Sequence, residues 1–81
     1  MIKNAIASID GGEYARAKSI LVKCQKYFKN NSEVNRLIGI TEALTGNNTQ
    51  AEKSFKKAIK LDNKNSFAYL NLGNIYLNTK K

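Results

Sequence analysis

The side chains that most often carry out catalysis are few in this sequence and are widely separated. Its 81 residues include no histidine and a single cysteine, Cys24, so the usual histidine-based acid–base pairs and cysteine–histidine metal sites cannot be built. Gly11 and Gly12 are not followed by the Lys-Ser/Thr pair of a phosphate-binding loop. The carboxylates show no recurrent pairing; they are Asp10, Glu13, Glu33, Glu42, Glu52 and Asp62. We therefore predict that this segment is not an enzyme and binds no cofactor or metal.

Apolar residues recur at the spacing of an α-helix in five consecutive segments. Ile2, Ala5, Ile6 and Ile9, for example, follow the i, i+3, i+4, i+7 pattern of one helix face. No segment alternates with a period of two over a useful length, so no strand is predicted. The five predicted helices span about residues 2–10, 14–28, 32–44, 49–61 and 66–78.

The ends of these helices allow three local predictions. The apolar stripe of the second helix is predicted to include Tyr27 and Phe28, which would place both rings against other helices. Asn31 or the residue after it is expected to cap the third helix. Thr49 or the residue before it is expected to cap the fourth, with Glu52 at the spacing of a capping box.

The same residue types recur at an interval of 34 positions. Gly39 and Gly73 both fall within predicted helices, where glycine costs about 0.5–1 kcal/mol relative to alanine. A cost incurred twice at the same phase indicates that a neighbouring helix approaches closely at both positions. The other matching pairs are Gly12 with Gly46, Ala17 with Ala51, Leu21 with Phe55, and Cys24 with Ala58. A fixed period of this length is typical of proteins built from stacked repeats.

These residues resemble the tetratricopeptide repeat, a helix pair with the pattern W-x2-L-G-x2-Y followed by A-x3-F. Tyr69, Leu72, Gly73 and Tyr76 fit the first part, with tyrosine in place of tryptophan, and the segment 51–55 fits the second. The resemblance implies an all-α fold, a right-handed superhelix of antiparallel helix pairs. It also implies one domain over residues 1–81, with a first repeat at 1–31, a second at 32–65, and the first helix of a third at 66–81.

The resemblance further implies a binding surface. In this family the first helices of successive repeats line a concave groove that holds an extended peptide or a helix, so we expect a protein–protein interaction module. The amides of Asn71 and Asn74 would bond the backbone of a peptide, and Arg36 would take a carboxylate. Alternatively, the apolar members only pack between helices and the polar ones form a solvated surface. The implied groove residues are Ile6, Arg36, Ile40, Phe67, Leu70, Asn71 and Asn74.

Two alternative functions remain open, and one of them follows from the net charge of +8. Lysines concentrate on the second and fourth predicted helices, which form the convex side in this family, and they are interpreted as a solvated face. They could instead attract nucleic acid electrostatically, but no aromatic residue is interleaved with them as in a single-strand binder, so nucleic acid is an unlikely partner. The other alternative is a regulatory or targeting appendage of a larger enzyme.

The last predicted helix and the cysteine give two further expectations. Tyr69, Leu72 and Tyr76 would normally be covered by the next helix of the family pattern, so we expect a longer array, a capping role for the helix, or a homodimer through these residues. Cys24 cannot form an internal disulfide, and no apolar run is long enough for a membrane span or a secretory signal. A cytoplasmic location is therefore predicted.

Overall fold

A computed structural model of the chain describes residues 2–79, with side chains from residue 3 onward. Within that range it contains α-helices and no strand, which confirms the predicted all-α class and the number of helices. Lys80 and Lys81, which the predicted third repeat includes, lie outside the described residues. The helices are α1 (Ile2–Asp10), α2 (Tyr14–Tyr27), α3 (Ser32–Leu44), α4 (Asn48–Leu61) and α5 (Ser66–Thr79).

The helices form two layers of antiparallel neighbours. α3 contacts both α1 and α5, so these three helices lie side by side in one layer. On the other side, α2 packs against α1 and α3, and α4 packs against α3 and α5. The smallest dimension of the molecule, 16 Å, fits two layers of helices whose axes lie about 8–10 Å apart.

Two glycines make the turns within the helix pairs. Gly12, between α1 and α2, has a φ of 79°, and Gly46, between α3 and α4, has a φ of 88°. This left-handed conformation is unfavourable for residues that carry a Cβ. The backbone N–H groups of the turn are satisfied, since Gly12 N donates to Ile9 O at 3.0 Å and Gly46 N donates to Ala43 O at 3.1 Å.

The helix caps agree with the sequence at α3 and differ at α4. Asn31 caps α3, because its side chain accepts a hydrogen bond from Val34 N at 3.0 Å. The capping box predicted for α4 is wrong: Thr49 lies inside the helix, and the N-cap position belongs to Asn47, whose side chain makes no capping bond. Glu52 instead forms an ion pair with Lys56 at 2.9 Å.

The close approach predicted at the two mid-helix glycines is confirmed at Gly39 and wrong at Gly73. A Cβ placed on Gly39 would lie 2.6 Å from Cε1 of Phe55, so only glycine leaves room for that ring. Phe55 is almost completely buried, with Ala51 and Ile75 beside it. A Cβ on Gly73 would meet no atom within 4 Å, because no described helix packs on that side of α5.

The prediction that Tyr27 and Phe28 belong to the buried stripe of α2 is also wrong. Tyr27 is 76% exposed and Phe28 is 50% exposed. The buried stripe of α2 consists of Ala17, Leu21 and Cys24. The two aromatic residues lie at the C-terminal end of the helix, beyond this stripe, and their rings are therefore available to solvent.

Polar side chains occupy two buried positions of α3 where the repeat pattern usually carries aromatics. Asn35 accepts a hydrogen bond from Nε2 of Gln25 at 3.1 Å and donates one to Asn31 O at 2.8 Å. Glu42 accepts a hydrogen bond from Oγ of Ser54 at 2.6 Å. These bonds tie α3 to α2 and to α4, and they satisfy groups that would otherwise destabilise the core.

Candidate partner-binding groove

A recess lies between α3 and α5 in the layer formed by the first helices. α3 contributes Ile40 and Leu44, and α5 contributes the amides of Asn71, Asn74 and Asn78. The recess has a volume of about 170 Å³, several times the roughly 30 Å³ that a water molecule occupies in the liquid. Its apolar floor and its amide wall suit one aliphatic side chain together with the peptide groups that flank it. Its remaining lining residues are Ala43, Phe55 and Ile75.

Arg36 connects the two walls near one end of the groove. Its Nε and Nη2 atoms each donate to a carboxylate oxygen of Glu33 at 2.9 Å, and Nη1 donates to Oδ1 of Asn71 at 3.1 Å. The guanidinium carbon lies 5.3 Å from the centre of the Phe67 ring, which is within the range of a cation–π contact. Arg36 is therefore committed to contacts within the molecule, with only 15% of its side chain exposed.

The contact with Arg36 fixes the orientation of the Asn71 amide. A guanidinium group has donors and no acceptor, so the oxygen of the Asn71 amide must face Arg36. The two N–H groups of the Asn71 amide are thereby turned away from Arg36. Because Asn71 also lines the recess, it offers hydrogen-bond donors to a molecule that occupies the groove.

Glu33 is the negative partner that balances Arg36. The hydrogen bonds from Arg36 hold the pKa of Glu33 below its ordinary value of 4.5, against the opposing effect of partial burial. Asn65 lowers this pKa further by donating from Nδ2 to Oε1 of Glu33 at 2.8 Å. The same amide of Asn65 donates to Oγ of Ser32 at 2.8 Å, and Ser32 donates to Ala58 O at 2.7 Å. This network joins the start of α3 to the end of α4 and the loop before α5.

The structure brings together some of the predicted groove residues and leaves others apart. Ile40, Asn71 and Asn74 share the lining of the recess. Arg36 and Phe67 lie next to it through the contacts of Arg36 described above. Ile6 on α1 and Leu70 on α5 are exposed, and neither lines the recess.

Five lining residues are absent from the predicted groove, and for two of them, Leu44 and Asn78, the sequence carried a signal. Leu44 lies four positions after Ile40, and Asn78 lies four positions after Asn74, so each continues a helix face already assigned to the groove. The pairing of Arg36 with Glu33, three positions earlier, was readable from the same helical spacing.

A second surface lies on the opposite side of the molecule, at the C-terminal end of α2. There the rings of Tyr27 and Phe28 border a shallow depression together with Lys23 and Lys26. An equivalent depression on α4, one repeat later, is lined by lysines and Leu61. Lysines and exposed aromatic rings are thus adjacent on this surface, contrary to the arrangement inferred from the sequence.

Two layers of antiparallel helix pairs are the architecture of helical-repeat proteins. Residues 41–80 match a family model described as TPR repeat. This match covers just under half of the chain and agrees with the family that the sequence resemblance predicted. It supports a general role as a protein–protein interaction module, a role that this family typically performs without catalysis. No curated protein matches the chain.

Two further observations concern the described part of the chain. None of its helices is both long and apolar enough to cross a bilayer. Among its described side chains, no group of three or more acidic or cysteine residues is placed to hold a metal ion.

Proposed function

We propose that this chain binds an extended segment of a partner protein in the groove between α3 and α5. The observation that carries the proposal is the row of amides from Asn71, Asn74 and Asn78 along an apolar floor. An extended peptide presents backbone carbonyl and N–H groups at regular intervals, and these need hydrogen-bond partners wherever a groove excludes water. Side-chain amides can both donate and accept, so they suit this ligand irrespective of its sequence.

Asn71 would make the best-defined contact with the peptide. Its oxygen is held by Arg36, which leaves its N–H groups to donate to a backbone carbonyl of the partner. Asn74 and Asn78 are exposed on the same wall, so their amides are accessible to the next peptide groups along the groove. Because Arg36 already orients Asn71, little conformational entropy is lost at this contact on binding.

The recess would give the groove its preference among peptide sequences. Ile40 and Leu44 of α3 and Ile75 of α5 line it, and these favour an aliphatic side chain of the partner. Charge would contribute little, because the carboxylate of Glu33 already neutralises Arg36. A carboxylate on the partner would have to displace Glu33, so we expect uncharged ligands whose binding depends weakly on salt.

The test is to select binding peptides from a displayed random-peptide library on the wild-type chain, and then to measure their affinity for variants. Asn71→Asp keeps an oxygen acceptor for Arg36 and removes the N–H donors. We expect it to weaken binding about tenfold, the value of one hydrogen bond of about 1.4 kcal/mol, and to leave thermal stability unchanged. Asn63→Asp makes the same chemical change in an exposed loop and serves as the matched control.

The proposal predicts that the selected peptides share an aliphatic position and that Ile40→Asp abolishes their binding. It would be contradicted if Asn71→Asp and Asn63→Asp bound the peptides as tightly as the wild-type chain does. Selection of peptides that share only acidic residues, with affinities that fall steeply as salt is added, would also contradict it.

A second candidate function is binding of a single-stranded nucleic acid on the convex side. The observation that favours it is the exposure of Tyr27 and Phe28 beside Lys23 and Lys26. Bases stack on exposed aromatic rings while lysines bind the phosphates, and the affinity of such a site falls as salt rises. This exposure differs from the prediction, in which no aromatic residue is interleaved with the lysines and nucleic acid is therefore an unlikely partner.

This second candidate is tested with a fluorescently labelled single-stranded oligonucleotide. We expect Tyr27→Ala to weaken binding without changing its salt dependence, since the ring contributes stacking and no charge. Phe67→Ala removes an exposed ring from the opposite layer and should leave the affinity unchanged. Equal affinities for the wild-type chain and Tyr27→Ala would contradict stacking at this surface.

A further inference from the structure

α5 carries apolar side chains on two of its sides, next to the row of asparagines that faces the groove, but only one of these two sides is covered. Ala68 and Ile75 are buried against the rest of the molecule, and Leu72 packs against the same cluster. On the other side, Leu70 is 61% exposed and Leu77 is 72% exposed. The apolar side of a helix is normally buried against another element. The exposed side of α5 is therefore a surface that another protein element can cover.

The residues of this exposed side are arranged symmetrically about Gly73. Tyr69 lies four positions before the glycine and Leu77 lies four positions after it; Leu70 lies three before and Tyr76 three after. At these intervals all five residues fall on one half of the helix. We call this set the outward face of α5. It combines bulky apolar groups at both ends with a glycine at the centre.

We propose that the outward face of α5 is a self-association surface, where the helix pairs antiparallel with that of a second copy across a two-fold axis at Gly73. In this arrangement Tyr69 lies opposite Leu77 of the partner subunit, and Leu70 lies opposite Tyr76 of the partner subunit. Each aromatic ring thus meets an aliphatic side chain, and both contacts occur twice. Such self-complementarity is required of a two-fold interface.

The glycine at the centre allows the two helices to approach closely. A Cβ on Gly73 would meet no atom of the chain itself within 4 Å, so the fold of one subunit does not require glycine there. Gly39 occupies the equivalent position of α3, where a neighbouring helix does cover the glycine. There the ring of Phe55 packs directly against Gly39. Gly73 leaves a similar gap on the surface of α5, and no side chain of the same chain fills it.

Charge favours a second copy at this face over other surfaces of the molecule. The chain carries a net charge of +8, and α5 has no charged residue from Ser66 to Thr79. Two copies that meet here would avoid the repulsion expected between their lysine-bearing convex sides. Lys56 of α4 lies close enough to Tyr76 for an electrostatic interaction. The charge of Lys56 is already paired with Glu52 at 2.9 Å.

The size of the outward face sets the expected strength of association. One face of a 14-residue helix is smaller than the roughly 800 Å² per partner of a stable complex. We therefore expect a reversible dimer with a dissociation constant in the micromolar range, and not an obligate dimer.

The residues of this face differ in part from those predicted from the sequence, which were Tyr69, Leu72 and Tyr76. Because Leu72 packs inward, Leu70 and Leu77 take its place in this proposal.

The experiment is sedimentation equilibrium of the 81-residue chain over a wide concentration range. The wild-type mass should rise from that of a monomer toward twice that value. Gly73→Leu should hold the mass at that of a monomer, because the added side chain blocks the close crossing although it makes the face more apolar. Tyr69→Lys should do the same, because it places a charge opposite an aliphatic side chain of the partner subunit.

Tyr27→Lys is the matched control, since it makes the same substitution at an exposed tyrosine on α2 and should associate like the wild-type chain. Circular dichroism establishes that each variant is folded; if Tyr69→Lys were not, Gly73→Leu alone would decide. The proposal is overturned if the wild-type chain stays monomeric at every concentration, which would leave the face to a different helix. It is equally overturned if Gly73→Leu associates as tightly as the wild-type chain or more tightly.

Discussion

At the scale of single residues, Gly39 and Gly73 occupy the same phase of two helices but meet different surroundings. The ring of Phe55 fills the space over Gly39, and nothing in the described structure fills the space over Gly73. The same substitution should therefore have effects of opposite sign at the two positions.

Gly39→Ala is expected to destabilise the fold by about 1–3 kcal/mol, because the new methyl group would overlap a buried ring that has little room to move. Gly73→Ala should stabilise the monomer by about 0.5–1 kcal/mol, since alanine loses less backbone entropy in a helix. Urea denaturation followed by circular dichroism, at a concentration where the chain is monomeric, measures both values. Destabilisation by both substitutions would contradict this assignment of the two glycines.

The Glu33–Arg36 pair gives a prediction about pH. Arg36 holds the pKa of Glu33 below its ordinary value of 4.5, so the folded state keeps this carboxylate ionised at pH values where the unfolded chain binds a proton. The stabilisation is therefore fully present above about pH 4.5 and is lost as the pH falls through the lowered pKa. Because Glu33 is about half exposed, its contribution should remain below about 1 kcal/mol.

The matching experiment compares urea denaturation of the wild-type chain and Glu33→Gln from neutral to acidic pH. The difference in the free energy of unfolding should be largest near neutral pH and should shrink as the solution becomes more acidic. Arg36→Met, which removes the cation, should reduce the same pH-dependent component and leave the part that comes from the hydrogen bond of Asn65. A difference between the wild-type chain and Glu33→Gln that grows at low pH would contradict the sign of the pKa shift.

At the scale of helices, the caps show which positions set the ends of each element. Asn31→Ala should destabilise the fold by about 0.5–2 kcal/mol, because it removes the acceptor for Val34 N at the start of α3. Thr49→Ala should change stability by less than about 0.5 kcal/mol, because Thr49 lies exposed within α4 and does not cap it. Thermal unfolding of the two variants tests this. A larger loss of stability for Thr49→Ala would indicate that Thr49 caps α4, as predicted from the sequence.

The helices were largely predictable from sequence because apolar spacing is a local property. The ends of α2 and α5 were predicted within one residue. Tyr27 and Phe28 were placed wrongly because periodicity shows which side of a helix is apolar and not whether another helix covers its last turn. The expectation for Gly73 failed for the same reason, since the helix that would cover it is not among the described elements.

The candidate groove was partly predictable, because a repeat places equivalent residues in equivalent positions. Ile40, Asn71 and Asn74 were brought together as the resemblance implied. The contacts of Arg36 with Asn71 and Phe67 were not predicted, because they join residues that are more than 30 positions apart in sequence. Such contacts depend on how α3 and α5 are placed side by side, which spacing within one helix cannot show.

At the scale of the whole molecule, α5 carries two separate surfaces. Asn71, Asn74 and Asn78 face the groove, and the outward face with Gly73 at its centre lies on another side of the helix. The two proposed activities should therefore be separable. Gly73→Leu is expected to abolish self-association and keep the affinity for selected peptides. Asn71→Asp is expected to weaken peptide binding about tenfold and keep self-association. Isothermal calorimetry and sedimentation of both variants measure this; loss of both activities in either variant would mean that the two surfaces are coupled.

The most direct test of the proposed function is to record amide spectra of the isotope-labelled chain by nuclear magnetic resonance while a selected peptide is added. The largest changes are predicted in the side-chain amides of Asn71, Asn74 and Asn78 and in the backbone amides of Ile40 and Leu44. Changes concentrated instead at the lysine and aromatic residues near the end of α2, with the asparagine amides unmoved, would contradict peptide binding in the groove.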